Sequence, residues 1–389
     1  MTGNKGKAMV KIGIVGLGPI GSMHADNLSA GKIPGAQLVC ACEQKPVDES
    51  KYPGVKIFKD FDDMLAKGGM DAVIISTPSF THFPLGEKSL KAGFHTLVEK
   101  PVALCTEDAC GLVKAAKGAG RLCAVMLNQR TTPLYARIKE LVESGSLGEI
   151  NRVDWTMTNW YRPDIYFTSS PWRGTWKGEA GGALLNQSIH NIDIFAWVFG
   201  MPKSVRAWCK FGKYHSIEVE DEVCCRMELS NGANATFATS TGEYPGLNRL
   251  TIAADKGFLV AENDSLKITR YKCGSLKKYT EETKYMFGVP ESEEIVETFE
   301  GKGEQHVGVL KNFAGAIEGK EKLEYSAEEG AKSLEIANLM LLSAWTDSQA
   351  DSPIDGAKYK KMLEKKSAAS KLRENPKTDF IVEFQKSFR

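Results

Sequence analysis

Short apolar runs alternate with helical patterns along the first third of the chain. Segments with helical spacing start near Ile20, Phe61, Thr81 and Thr106, and Thr106 is suited to cap its helix. The shorter apolar runs, typical of buried strands, cover residues 10–15, 37–41, 72–76, 94–98 and 122–127. Strands that alternate with helices predict a parallel, doubly wound sheet, here over residues 8–129.

The pattern changes after residue 130. Strand-like stretches then follow one another with short turns between them, at residues 150–160, 204–211, 221–229, 233–240, 249–254, 257–261 and 266–271. The Asn231-Gly232 pair between two of them is a strong hairpin signal. We therefore predict a mainly antiparallel sheet in an α+β domain over residues 130–366, with helices near 133–144, 306–317 and 327–348. The charged residues 367–389 are expected to form a surface extension that clasps a neighbouring subunit.

Another amphipathic stretch runs from Gly181 to Phe199 and reads GGALLNQSIHNIDIFAWVF. Its apolar spacing predicts a half-buried helix. Asn186, His190 and Asp193 would then share one helix face, within an arc of roughly 60°. Taken alone, a hydrogen-bonded core histidine and a catalytic histidine explain this pattern equally well.

Composition excludes several classes of protein. A formal net charge of +1 argues against a nucleic-acid surface, and no apolar run approaches the roughly 20 residues of a membrane span. The start of the chain, MTGNKGKAM, lacks the apolar core of a signal peptide. Nine cysteines without a CxxC pair indicate buried thiols in a reducing cytoplasm rather than a metal site or disulfides.

The first strand ends in the glycine-rich turn Gly16-Leu17-Gly18-Pro19-Ile20-Gly21. Glycines at these positions allow a tight turn, a close approach to a pyrophosphate, and packing of the helix on the strand. The second strand delivers Glu43 about 20 residues later, where a carboxylate can accept both ribose hydroxyls and repels a 2′-phosphate. The sequence therefore favours NAD over NADP, although Lys45 nearby could soften that repulsion.

Polar residues follow the later strands at the edge where nucleotides bind in such sheets. Lys100, between Glu99 and Pro101, is well placed to meet the nicotinamide, and a solvated surface lysine is the alternative. His82 is either a cofactor contact or an ordinary residue at a helix start. The predicted cofactor contacts are Gly16, Gly18, Pro19, Ile20, Glu43, Thr77, Pro78, His82, Glu99, Lys100 and Asn128.

The order of the GLGPIG turn, the EKP strand end and the GGxxxNxxxHxxD segment resembles the Gfo/Idh/MocA oxidoreductase family, from about Lys11 to Leu363. The resemblance implies a nucleotide-binding domain, an open-faced antiparallel sheet, and activity on sugars, inositols and related polyols. It implies that Lys100 lies near the nicotinamide and the substrate hydroxyl, that His190 is the general acid/base, and that Asp193 lines the substrate pocket. Asn186 falls where several relatives carry aspartate. Because asparagine cannot take up a proton, a positioning role remains for it and a Lys–Asp–His relay is questionable.

The resulting hypothesis is an NAD-dependent dehydrogenase for a secondary alcohol of a sugar or cyclic polyol. His190 would remove the hydroxyl proton, and Lys100 would stabilise the developing negative charge. Arg173, in the aromatic loop before the histidine segment, is suited to a sugar's hydroxyls, with loop packing as the alternative. Two other functions remain open: an NAD-dependent glycosidase with internal cofactor recycling, and a non-catalytic NAD(P)-binding regulator.

We also predict the assembly of the protein. One face of the second sheet should cover the helices, and an apolar opposite face would need a partner. The sequence therefore predicts a homodimer or homotetramer built through the C-terminal sheet. His306, at the start of a late helix, is a further candidate to reach the pocket.

Overall fold

A computed structural model describes residues 9–381, and the chain falls into two compact units. The first contains the chain up to residue 131 together with residues 303–334, and the second contains residues 132–302 and the chain from 335 onward. The N-terminal residues 1–8, where we expected a short polar tail, lie outside the described part.

The described residues form strands and helices in the following order. The strands are β1 Val10–Val15, β2 Ala36–Cys42, β3 Lys56–Phe58, β4 Ala72–Ile75, β5 His95–Val98, β6 Cys123–Val125, β7 Ile150–Met157, β8 Ser204–Phe211, β9 Glu220–Glu228, β10 Asn234–Ser240, β11 Asn248–Ala254, β12 Gly257–Glu262, β13 Ser265–Tyr271, β14 Ser292–Thr298 and β15 Ala350–Asp351. The helices are α1 Pro19–Ser29, α2 Phe61–Lys67, α3 His82–Lys91, α4 Thr106–Ala119, α5 Pro133–Glu143, α6 Asp164–Thr168, α7 Trp176–Glu179, α8 Ile189–Phe199, α9 Leu276–Glu282, α10 Gln305–Ile317, α11 Ala327–Thr346 and α12 Gly356–Ala369.

The sheet of the first unit has six parallel strands in the order β3-β2-β1-β4-β5-β6. This is the doubly wound arrangement that the alternation of strands and helices predicts, and it is confirmed. Strand β3 has only three residues, none of them fully buried, so it gave no apolar run to recognise. The residue that caps α4 is Cys105, and Thr106 is the first helical residue, which corrects the predicted cap by one position.

Residues 303–334 correct the predicted domain boundary, because the sequence placed them in the second domain. Helix α10 buries Val309, Leu310, Phe313 and Ala314 in the core that also contains Ile12. The apolar stripe of α10 thus covers the sheet of the first unit. A chain that leaves a domain and returns to it has no local signature in the hydrophobic pattern.

The sheet of the second unit has nine strands in the order β14-β13-β12-β11-β7-β10-β9-β8-β15. All neighbours are antiparallel except β7 and β10, so the predicted, mainly antiparallel sheet is confirmed. Asn231 and Gly232 lie in the turn between β9 and β10, where Gly232 has a φ of +87°. Strand β14 escaped prediction because its sequence, SEEIVET, is charged and almost entirely exposed.

The C-terminal extension packs on its own chain in the part that the structure describes. Helix α12 continues to Ala369, and the following residues run along the loop before α7. The amide of Arg373 donates to the Pro171 carbonyl at 2.9 Å, and that of Lys377 donates to the Thr168 carbonyl at 2.8 Å. Residues 370–377 therefore clasp residues 168–177 of the same chain, whereas the sequence suggested a neighbouring subunit.

Candidate active site

The glycine-rich turn between β1 and α1 has the geometry that its sequence predicts. Gly16 has a φ of +86°, and a Cβ atom there would lie 2.7 Å from the Ser76 carbonyl oxygen. A Cβ atom on Gly21 would lie 1.9 Å from the Gly16 carbonyl oxygen. Gly18, in contrast, faces open space, with no atom of the described chain within 4 Å of an added Cβ. The turn is therefore tight on its protein side and open where a pyrophosphate would approach.

Glu43 lies at the end of β2 beside this turn. Its carboxylate accepts hydrogen bonds from the amides of Leu17 at 2.8 Å and Lys45 at 2.9 Å. The Lys59 ammonium group donates to the carbonyl oxygens of Glu43 at 3.1 Å and Lys45 at 2.7 Å. The carboxylate is thus held in place for ribose hydroxyls, and Lys59 is a nearby positive charge that the sequence did not reveal.

The strand ends supply further groups for a dinucleotide. Asn128 is 2% exposed, and its Nδ2 donates to Gln305 at 2.7 Å. Its Oδ1 is buried and accepts no hydrogen bond within residues 9–381. A buried acceptor without a donor is costly unless a ligand supplies one. The open turn, the fixed carboxylate of Glu43 and this acceptor together fit NAD.

Glu99, just before Lys100, belongs to a buried cluster with two histidines. Its Oε1 lies 2.8 Å from His24 Nε2, and its Oε2 accepts the Lys100 amide at 3.2 Å. Burial opposes ionisation of Glu99, but the hydrogen bond from His24 and the attraction of the neighbouring basic groups keep its pKa below the usual range. His306, whose ring lies 5.6 Å from that of His24, has its pKa lowered to about 4 by burial. The cluster fixes the backbone at Lys100.

His24 was missed in the sequence, although a signal for it exists. It lies on the buried stripe of α1 with Gly21, Ala25 and Leu28, at the i, i+3, i+4 and i+7 positions of the helix. A histidine on such a stripe needs a polar partner.

His82, predicted as a possible cofactor contact, has both ring nitrogens occupied by main-chain oxygens. Nδ1 lies 2.7 Å from the Pro101 carbonyl and Nε2 lies 2.9 Å from the Thr77 carbonyl. Burial lowers its pKa, against the opposite effect of the two carbonyls. The ring connects the chain after β4 to the chain after β5, so in this unit it braces two strand ends.

In the second unit, the helix predicted from Gly181 begins only at Ile189. The Glu220 carboxylate accepts the amides of Gly182 at 2.8 Å and Leu184 at 3.0 Å, and the Glu220 carbonyl accepts that of Ala183 at 2.9 Å. These bonds hold residues 182–188 in irregular turns. Asn186 therefore precedes the helix and does not share a regular helix face with His190 and Asp193, which corrects that prediction.

Glu220 is fully buried, and its Oε2 has no hydrogen-bond partner among the described residues. Burial raises its pKa to about 7, the three main-chain amides oppose that rise, and the nearby Glu179 adds to it. A Cβ atom on Gly182 would lie 2.0 Å from the Glu220 carbonyl oxygen. This contact explains the second glycine of the GG pair.

Asn186 is connected to Arg173 through Tyr166, a residue that the sequence did not single out. Arg173 donates to the Tyr166 hydroxyl, which donates to Asn186 Oδ1 at 3.3 Å and accepts from Gln187 at 3.2 Å. Asn186 Nδ2 donates to Glu179, a buried carboxylate that also accepts the Gly174 amide at 2.6 Å. Both ends of the Asn186 side-chain amide are thus oriented by neighbours, Oδ1 by Tyr166 and Nδ2 by Glu179.

His190 lies beside Trp160, and the two rings stack at 6.5 Å with an interplanar angle of 28°. Trp160 in turn donates to Asn191 at 3.3 Å. Asp193 is 1% exposed, so it is a buried residue of α8 in this structure. The indole and the start of α8 therefore orient the His190 ring, which keeps partial exposure.

No group of three or more His, Cys, Asp or Glu side chains in residues 9–381 is arranged to hold a metal ion. Over the same residues, none of the helices combines the length and the apolar character needed to cross a membrane.

Family models match both units. Residues 10–127 match the oxidoreductase family with an NAD-binding Rossmann fold, and residues 135–260 match the GFO/IDH/MocA C-terminal domain. The chain belongs to the Gfo/Idh/MocA oxidoreductase family, which confirms the resemblance, and its first unit is an NAD-binding Rossmann domain.

Individual relatives are similar over part of the chain. The chain is 30% identical over 199 residues to the scyllo-inositol 2-dehydrogenase (NADP(+)) IolW of Bacillus subtilis (strain 168), covering 51% of this chain and 54% of that protein. It is 31% identical over 196 residues to the scyllo-inositol 2-dehydrogenase (NAD(+)) of the same organism, covering 49% of this chain and 54% of the relative. The chain thus spans about half the length of these curated relatives.

A solved structure is similar over most of the chain. The WlbA dehydrogenase from Bordetella pertussis, in complex with NADH and UDP-GlcNAcA, has 26% sequence identity and a TM-score of 0.75. The similarity covers 89% of this chain and all of that one, 100%.

Proposed function

We propose that this protein is an NAD-dependent dehydrogenase that oxidises a secondary alcohol of a sugar, a sugar derivative or an inositol, or reduces the corresponding ketone. The observation that carries the proposal is that an NAD-binding unit with a fixed Lys100 backbone accompanies a unit with an oriented His190. Family relatives include two scyllo-inositol 2-dehydrogenases and a WlbA dehydrogenase that binds UDP-GlcNAcA, which supports a carbohydrate or polyol substrate.

The proposed chemistry divides between the two side chains. His190 takes the proton of the reacting hydroxyl, and Lys100 hydrogen-bonds the same oxygen and stabilises its negative charge. Bound NAD supplies the hydride acceptor. The glycine turn, Glu43, Asn128 and the strand-end residues Thr77, Pro78 and Glu99 hold the cofactor, while Asn186, Asp193 and Arg173 bind or orient the substrate.

The state of the cysteines fits an enzyme of the reducing cytoplasm, which we propose as its compartment. All nine cysteines are free thiols, and burial raises the pKa of Cys40 and Cys123 to about 12. Thiols of that kind are poor nucleophiles and behave as small apolar side chains.

A direct assay tests the reaction. Purified protein with NAD is mixed with a panel of sugars, sugar acids and inositols, and the absorbance of reduced nicotinamide is followed. We expect a rise with at least one member. If NAD binds and the whole panel is silent, the proposal fails, and release of a leaving group from glycosides would then favour the glycosidase with internal cofactor recycling.

Replacement of the proposed base tests its role. General acid–base catalysis contributes roughly 10²–10⁴-fold, so His190→Ala should lower turnover by about that factor while NAD affinity stays unchanged. His95→Asn is the matched control, since His95 lies in the first unit, its ring accepts the Leu122 amide at 3.1 Å, and the proposed mechanism does not use it. An unchanged rate in His190→Ala would remove His190 from the mechanism.

A further inference from the structure

The guanidinium group of Arg173 lies against two aromatic rings, and the side chain remains partly exposed. Its guanidinium carbon lies 4.2 Å from the centre of the Tyr166 ring and 4.6 Å from that of Trp172. Contacts of this kind restrict the guanidinium group, whose N–H groups lie in one plane and bind ligands in that plane. The side chain keeps 24% of its surface exposed, so the edge is within reach of solvent and solutes.

The hydrogen-bonding capacity of Arg173 is mostly unused inside the protein. In the part of the chain that the structure describes, its guanidinium group makes one hydrogen bond, to the Tyr166 hydroxyl. The nearest carboxylate oxygen, on Glu179, is 4.0 Å away, beyond hydrogen-bonding distance. Glu179 already accepts the Asn186 side-chain amide and the Gly174 main-chain amide. Arg173 is therefore not engaged in a close, bidentate pair with this carboxylate.

Tyr166 contacts a second cationic side chain. Arg162 is a second guanidinium group at the same tyrosine, 5.2 Å from the centre of the Tyr166 ring. Asp164, the acidic residue nearest to them in sequence, lies 3.2 Å from the His215 ring. Tyr166 thus contacts two guanidinium groups, and hydrogen bonds through Asn186 connect it to the buried carboxylate of Glu179.

The same hydrogen bonds connect this group to the proposed base. Arg173 and Asn186 are joined through the Tyr166 hydroxyl, and Asn186 lies four residues before His190. A ligand bound to the guanidinium group of Arg173 would therefore be positioned relative to the start of α8, because Tyr166 and Asn186 connect the two through hydrogen bonds.

We propose that Arg173 is a specificity-determining residue that binds a carboxylate of the substrate, so that the preferred substrate is a sugar acid rather than a neutral sugar or inositol. This inference rests on the proposed function of the second unit as the sugar-binding unit. A planar guanidinium edge matches the two oxygens of a carboxylate with two parallel N–H···O bonds. The aromatic rings in contact with the guanidinium group restrict its movement, which reduces the entropy lost when such a pair forms.

Equilibrium binding tests the proposal without requiring turnover. Calorimetric titrations of the full-length protein with NADH use two matched pairs of ligands, D-glucuronate with D-glucose and D-galacturonate with D-galactose. D-Glucose 6-phosphate is titrated as a further ligand, because a phosphate group can also bind a guanidinium group. We expect at least one sugar acid to bind at least tenfold more tightly than its neutral partner and more tightly than the phosphate, with affinity that falls as salt is added.

Variants assign the preference to the residue. Because hydrogen bonds between charged groups contribute strongly to binding, Arg173→Gln should weaken binding of the acid by roughly 10- to 100-fold. Binding of the neutral sugar should stay unchanged. Arg173→Lys keeps the charge but lacks the planar edge, so its affinity for the acid should lie between that of the parent protein and that of Arg173→Gln. Arg206→Gln is the matched control, because Arg206 also stacks on an aromatic ring, that of Trp208 at 5.3 Å, but pairs with Asp347.

The outcomes separate this proposal from the proposed function. Oxidation of neutral sugars with no preference for acids, or equal loss of both ligands in Arg173→Gln, overturns the carboxylate site and leaves the dehydrogenase intact. Preference for the phosphate also overturns it. Arg173-dependent binding of a sugar acid without any reduction of NAD supports the site and counts against the dehydrogenase. Far-ultraviolet circular dichroism and thermal unfolding of each variant establish that the fold is retained.

Discussion

Glu220 is a fully buried carboxyl group whose ionised form is costly in the folded protein. Its pKa is raised from 4.5 to about 7 by burial, so the folded state holds the proton over a range of pH in which the unfolded chain has lost it. Stability contributed by this proton is therefore full below about pH 4.5 and is lost as the pH rises through 7. Glu220→Gln stays neutral and keeps an acceptor for the amides of Gly182 and Leu184. We therefore expect its stability not to fall over this range of pH on account of residue 220.

The measurement is the free energy of unfolding in urea at pH 5 and pH 8. Between pH 5 and pH 8, the parent protein should lose on the order of 2 kcal/mol more of its free energy of unfolding than Glu220→Gln does. One pKa unit corresponds to about 1.4 kcal/mol. Glu222→Gln is the control on the same strand, because Glu222 is partly exposed and pairs with Lys213. Equal pH dependence in the parent and in Glu220→Gln would show that Glu220 is ionised in the folded protein.

Residues whose place depends on their own strand could be predicted, and residues placed by distant partners could not. Glu43, Lys100 and Asn128 follow strand ends, where the topology of a parallel sheet gives them a common edge. His24 meets Glu99 across 75 positions and Glu220 meets Gly182 across 38, and no local pattern carries such a pairing. The roles proposed for Lys100 and His190 stay predictions.

At the scale of elements, strands of the first sheet could be predicted from short, continuously apolar runs, and strands of the second sheet from the alternation of buried and exposed positions. The start of α8 was not, because the apolar residues at 184, 185 and 189 satisfy a helical period while the amides before Ile189 are bound by Glu220. Helical periodicity describes which side chains are buried, and it says nothing of where main-chain amides find their acceptors.

The C-terminal extension makes an element-scale prediction. Ending the chain after Leu372 removes the two main-chain hydrogen bonds to Pro171 and Thr168, and also the bond from the Arg373 side chain to the Ser216 carbonyl at 2.7 Å. We expect amides in residues 168–177 to exchange with deuterium roughly tenfold faster, since one net hydrogen bond is worth about 1 kcal/mol.

A chain that ends at Ile381 is the control for this truncation, because it keeps every one of those contacts. Its exchange in residues 168–177 should match that of the full chain. If the two truncated chains exchanged these amides with deuterium at the same rate, the extension would not pack on its own chain in solution.

At the scale of the molecule, the sheet of the second unit has one face that residues 9–381 leave partly exposed. Cross-strand register places Val296, Lys267, Val260 and Thr251 in one row, all partly or fully exposed, whereas Leu259 and Ile268 on the opposite face are buried. Trp208, farther along the sheet, is 53% exposed and Val296 is 61% exposed. The exposed Trp208 and Val296 give this face two apolar side chains that a partner could cover, and the predicted homodimer or homotetramer stays our proposal for it.

The test is the mass of the protein in solution, measured by size-exclusion chromatography with light scattering at micromolar concentration. We expect twice or four times the chain mass of 42.7 kDa for the parent protein. Val296→Asp should shift the mass toward one chain, because a carboxylate would be buried in the interface without compensation. The same carboxylate is tolerated in the free chain, where it lies opposite Lys267 in the cross-strand register. Ile381→Asp, at a position 92% exposed near the end of the chain, should leave the mass unchanged. A parent protein that elutes with the mass of a single chain would refute the interface, because the exposed face of the sheet would then need no partner.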